Sequence, residues 1–137
     1  MDLAKEAAWS VVQNGLAAGA TDGNSSSVDM AGYRSVTFLG TIGAQDAAAT
    51  ASLEAQQSDD DVTFESVAGA VITSAVNQDN KILVLEVRPT KRYVRTTLTR
   101  GGTGNTEWHG TYAIRHNGRL APASAPASVH AATPVSV

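Results

Sequence analysis

Between Ala49 and Gln57 the chain alternates strictly: Ala51, Leu53 and Ala55 are apolar, whereas Thr50, Ser52, Glu54 and Gln56 are polar. Successive side chains of a strand point to opposite faces, so this run buries one side of a sheet and wets the other. On a helix the same apolar residues would be spread around the cylinder. The pattern predicts a half-buried strand, and the rest of the chain must supply something to cover its apolar face.

Other segments read as strands that can do so. Tyr33 to Gly43 places Arg34, Val36, Phe38, Gly40 and Ile42 on one face, and this face is expected to be buried. Ser58-Asp59-Asp60-Asp61 makes a turn, after which Val62 to Val67 and Ala70 to Val76 form two β-branched segments with a hairpin or corner at Gly69. Gln78-Asp79-Asn80 turns the chain again, and Lys81 to Val87, apolar on both faces, reads as a central strand. Pro89 interrupts the ladder, because proline has no N–H and restricts its predecessor. Lys91 to Thr99 resumes as a strand, Gly101 to Asn105 reads as a flexible hairpin tip, and Thr106 to His116 closes the body. Seven or eight short strands at this spacing predict an all-β fold: an antiparallel β-sandwich or jelly-roll-like barrel with extended N- and C-terminal arms.

Three regions follow. Residues 1–27 are expected to be an N-terminal arm and loop, since Gly15 to Ser27 is rich in Gly, Ser, Asn and Asp. Residues 28–118 form the body. Residues 119–137 are almost wholly Ala, Pro, Ser and Val; such a segment cannot offset its ordering entropy alone, and a flexible arm that orders along a neighbouring subunit is expected. Ala supplies much of the apolar content and aromatic residues only 5%, so the core should be thin and built from Val, Ile and Leu.

Composition also narrows the partners. With no cysteine there is no disulfide, thiol nucleophile or cysteine-based zinc site. A net charge of −3 offers no general attraction for phosphate backbones, so nucleic acid is not an expected partner. No stretch approaches the roughly 20 apolar residues that cross a bilayer, and no signal-peptide pattern opens the chain. A soluble protein without membrane partners is expected.

Candidate sites compete with plainer roles. Asp59, Asp60 and Asp61 offer oxygens to calcium but lack the Gly and Glu of a dedicated loop, so a solvated turn is favoured. His109 and His116, an odd number of residues apart on one strand, fall on opposite faces and do not share a zinc ion; His130 stands in the tail. No Gly-x-Ser-x-Gly elbow exposes a nucleophile. Gly101-Gly102-Thr103-Gly104 lacks the strand, helix and Lys context of a phosphate loop. No catalytic residue, cofactor or metal is therefore expected, and an enzyme is the least favoured class. Two features point to binding. Trp108 and Tyr112, four apart, fall on one strand face as core or interface aromatics or as a sugar-stacking platform. Arg88, Lys91, Arg92, Arg95 and Arg100 form a basic cluster, either a solvated face or an interface for an acidic protein surface.

Three stretches carry a family resemblance: Asp29-Met30-Ala31-Gly32-Tyr33 with Val36 to Gly43, then Leu53 to Asp60, then Asn80 to Val87 running into Arg88-Pro89-Thr90-Lys91-Arg92-Tyr93-Val94-Arg95. Together they resemble small virion structural proteins from the head gene cluster of tailed phages. The resemblance covers the middle two-thirds of the chain and implies a capsid decoration, or cement, protein. Such a protein binds the major capsid protein on the capsid exterior, assembles in the host bacterial cytoplasm, and is a homo-oligomer, a trimer being favoured. A neck or tail ring component, or a carbohydrate-binding β-sandwich module using Trp108 and Tyr112, are the alternatives.

Overall fold

The computed structural model describes residues 7–74 and 78–118. They form ten strands: β1 (Ala8–Gln13), β2 (Leu16–Gly19), β3 (Gly23–Asn24), β4 (Val28–Asp29), β5 (Ser35–Gln45), β6 (Ala48–Ser58), β7 (Glu65–Thr73), β8 (Ile82–Val87), β9 (Tyr93–Thr103) and β10 (Thr106–His116). The first sheet has the order β1-β10-β5-β8, with β2 following β1 along the same edge of β10. The second has the order β3-β9-β6-β7, with β4 also on β9. Every pairing is antiparallel, and the two sheets pack as a β-sandwich.

The alternation of β6 works as expected. Ala51, Leu53 and Ala55 are fully buried and meet Val36, Phe38 and Ile42 of β5, Leu83, Leu85 and Val87 of β8, and Trp108 and Ala113 of β10. Val94 and Leu98 of β9 complete the layer. The β5–β6 and β9–β10 turns each carry the chain from one sheet to the other, and they are tied together: Asp46 N–H donates to the Asn105 carbonyl at 2.9 Å, and Asn105 N–H donates to Asp46 Oδ2 at 2.8 Å.

Four expectations change. The N-terminal segment is not a loop leading into the body but a strip of edge strands that crosses the sandwich, β1 and β2 on β10, then β3 and β4 on β9. The segments on either side of Gly69 are one strand, not a hairpin: β7 stays on β6, with a bulge where Glu54 faces Val71 and Gln56 faces Ser66. Gly69 holds φ at +76° there, a conformation open to glycine without the penalty other residues meet. Lys81 to Val87 gives β8, an edge strand and not a central one, with Leu83, Leu85 and Val87 buried and Ile82 and Val84 exposed. Gly101 to Thr103 are not a loose tip; they pair with Ala48 to Thr50, leaving only Gly104 and Asn105 to turn. Residues 75–77 and the expected arm 119–137 lie outside the described residues.

Candidate interaction surface

The basic cluster does not form one face. Arg88 stands at the end of β8, exposed, 4.0 Å from Glu86. Lys91 bonds Glu65 at 2.9 Å and Asp59 at 3.3 Å; these carboxylates, Glu65 first, raise its pKa. Arg92 holds Asp29 through two 2.9 Å bonds, which pull that carboxyl below its ordinary value. Arg95 lies 3.9 Å over the Phe64 ring and donates to Gln56 at 2.9 Å. These charges fasten the β6–β7 and β8–β9 loops to the body, so Lys91, Arg92 and Arg95 each already hold a partner inside the molecule.

Arg100 is 7% exposed and serves the fold. Its guanidinium donates to the carbonyls of Thr21 (2.7 Å), Ala17 (2.8 Å) and Thr106 (2.9 Å), and its own N–H donates to Asp22 Oδ1 at 3.0 Å. The planar fork of donors suits this clamp, which an ammonium could not reproduce. It fixes the N-terminal strip across both sheets.

Trp108 and Tyr112 do not share a face. Opposite β5 the register slips between Trp108 and Gly110, and Gly110 takes φ +119°. One extra residue in a strand turns every following side chain over. Trp108 is thereby sealed in the core at 1% exposure, donating to Thr111 Oγ1 at 3.0 Å, while Tyr112 points outward. No sugar-stacking pair is formed. The same bulge puts His109 and His116 on one face instead of two, but at opposite ends of it, His109 against Glu107 (2.5 Å) and His116 on Thr37 Oγ1 (2.9 Å). The three acids of the β6–β7 turn are all engaged: Asp59 with Lys91, Asp61 with Ser27, and Asp60 with Ser58 and the N–H groups of Val62 and Thr63. No group of three or more metal-type side chains occurs among the described residues.

What sequence reading missed is the difference between the two outer faces. Across the first sheet, the pairings line up Val11, Tyr112, Leu39 and Val84 in one row, flanked by Trp9, Ile114, Thr37 and Glu86 on one side and by Gly110, Thr41 and Ile82 on the other. Ile82 is 61% exposed, Val84 53% and Val11 42%. Across the second sheet the corresponding rows are Asn24, Thr97, Glu54 and Val71, then Arg95, Gln56 and Ser66, then Thr99, Ser52 and Thr73. One face carries a continuous apolar row across four strands and the other carries none, which is the distribution expected when one side of a domain meets a partner. The signal was present in the outward residues of each strand. It was hidden because those residues become neighbours only through the strand order.

No protein-family model and no curated protein matches this sequence. Among solved structures a match exists. The fold is similar to that of PBSX exported protein XepA. The alignment covers 100% of this chain with a TM-score of 0.59 and 17% sequence identity. This chain spans 44% of the length of the XepA chain, so the likeness is one of fold and concerns less than half of that protein. No helix among the described residues is long and apolar enough to cross a membrane.

Proposed function

We propose that this chain is a non-enzymatic structural protein of a phage particle, a homo-oligomeric decoration protein on the capsid exterior that docks on the major capsid protein. The observation that carries the docking site is the apolar outer face of the first sheet, built from Val11, Leu39, Tyr112, Ile82 and Val84 beside a polar second sheet. The phage assignment is supported by the sequence resemblance to virion head proteins and by the fold shared with a phage-derived protein. An apolar patch gives binding energy in proportion to area removed from water, and many symmetric copies on a shell multiply it. The basic residues contribute less to this reading than the sequence implied, since most are held in internal pairs. A glycan-binding reading loses its platform with Trp108 in the core.

The test is to mix the purified protein with capsids that lack it and measure co-sedimentation and copy number. Saturable binding at a copy number set by capsid symmetry, lowered at least tenfold by Val84→Lys or Tyr112→Lys, is expected. Wild-type protein that stays in the supernatant would overturn the decoration role and leave the neck or tail as the place to look.

A further inference from the structure

Six arginines stand among the described residues, and four of them are already held. Arg92 is paired with Asp29 at 2.9 Å, Arg95 donates to Gln56 at 2.9 Å, and Arg100 donates to three carbonyls. Arg115 donates to the Asp29 carbonyl at 2.7 Å and lies 5.0 Å over the Tyr33 ring. The other two are Arg34 and Arg88. Arg34 is exposed and has no hydrogen bond, ion pair or ring contact among the described residues. Arg88 has one neighbour of opposite charge, Glu86, 4.0 Å away, and its side chain is 76% exposed.

The fold brings these two together. Val36 of β5 is paired with Val87 of β8, so one step further along the ladder sets Ser35 beside Arg88, with Arg34 next in the chain. Both arginines line one open groove of about 380 Å³, together with Ser35, Asn117 and Gly118. Fully buried Ser35 accepts from Asn117 Nδ2 at 3.0 Å, which fixes the Asn117 side chain as part of the groove wall. Asn117 holds φ at +55°, a left-handed conformation that Asn adopts more readily than most side chains. No carboxylate lines the groove. Two like charges therefore flank one polar concavity, and a bound anion would relieve their repulsion.

The donors select the anion. A guanidinium presents a planar fork that matches phosphate or carboxylate through two parallel hydrogen bonds. A single carboxylate balances only one of the two arginines. A phosphate monoester carries about −1.5 to −2 charges at pH 7 and three acceptor oxygens, enough to engage both. The groove volume falls in the range of about 300–1,000 Å³ usual for small-molecule sites, so an organic group fits beside the phosphate. None of the lining side chains is apolar, so that group is polar.

We propose that the groove between Arg34 and Arg88 binds a small, polar phosphate monoester, with the two guanidiniums as the phosphate clamp and Asn117 as the polar wall beside them. The site is separate from the apolar row, since Arg88 lies beyond Val84 and Glu86 at the end of β8, and it does not depend on capsid docking.

Isothermal titration calorimetry of the full chain with glucose 6-phosphate tests this, with glucose as the phosphate-free control. Saturable one-to-one binding is expected for the phosphate and none for glucose. Arg34→Ala and Arg88→Ala should each weaken binding about tenfold or more, because charge-assisted hydrogen bonds are lost, without moving the unfolding midpoint. Lys81→Ala removes another exposed cation, at the opposite end of β8, and should leave the affinity unchanged. Glu86→Gln should tighten binding about two- to threefold, because its carboxylate competes for Arg88. Weakening by Lys81→Ala equal to that of the arginine variants would overturn the proposal by assigning the effect to overall charge. An absence of saturable glucose 6-phosphate binding would also overturn it, whether or not vesicles containing phosphatidic acid are bound instead.

Discussion

The indole N–H of Trp108 ends on Thr111 Oγ1, and that hydroxyl donates in turn to Gln13 Oε1 at 3.0 Å, so a buried donor on β10 is satisfied by a relay reaching β1. Trp108→Ala should cost about 3–5 kcal/mol through the lost burial and the cavity left between the sheets. Thr111→Val keeps the volume but strands the indole N–H, and about 1–3 kcal/mol of loss is expected by denaturant unfolding. Asp60 gives a pH signature of its own. The N–H groups of Thr63 and Val62, and then the Ser58 hydroxyl, hold its carboxyl at about 2, below the ordinary 3.8. A depressed carboxylate stabilises the fold above the unfolded value, and that contribution is lost as pH falls through the folded one. The β6–β7 turn should therefore loosen as pH falls from about 4 toward 2, followed through the Val62 and Thr63 amide shifts. Asp60→Asn should flatten that profile.

Among the elements, the N-terminal strip depends most on a single clamp. β2 and β3 are short, and short edge strands hold few ladder bonds of their own. Arg100 donates three hydrogen bonds to the carbonyls of Ala17, Thr21 and Thr106 and so ties this strip to β10 from the side chain of β9. Arg100→Ala should destabilise the protein by about 3 kcal/mol, because charge-assisted bonds are lost and buried carbonyls go unpaired. Arg100→Lys should restore little of that. Amide exchange should rise first across residues 16–24 in both variants, while β5 and β6 stay protected. Gly110 decides the faces of β10 in a comparable way: the bulge it permits is what separates Trp108 from Tyr112.

For the whole molecule, the two candidate surfaces predict opposite salt dependence. Docking through the apolar face of the first sheet should change less than about threefold between 50 mM and 500 mM salt, whereas docking through exposed Arg and Lys would weaken steeply as charges are screened. Co-sedimentation across that range separates them, and Arg88→Ala should leave binding intact. Local pattern was enough to find the long strands. The period of two in β5 and β6 assigned their buried faces, and it made an all-β sandwich legible, because side-chain alternation is a property of each strand alone. Strand order, the bulges at Gly69 and Gly110, the edge position of β8 and the internal pairing of Lys91, Arg92 and Arg95 were not legible. Each depends on which distant segments lie side by side, and that is settled by packing across the sandwich. The apolar docking face belongs to this second kind: Val11, Tyr112, Leu39 and Val84 sit on four different strands, and only the tertiary structure makes them one surface.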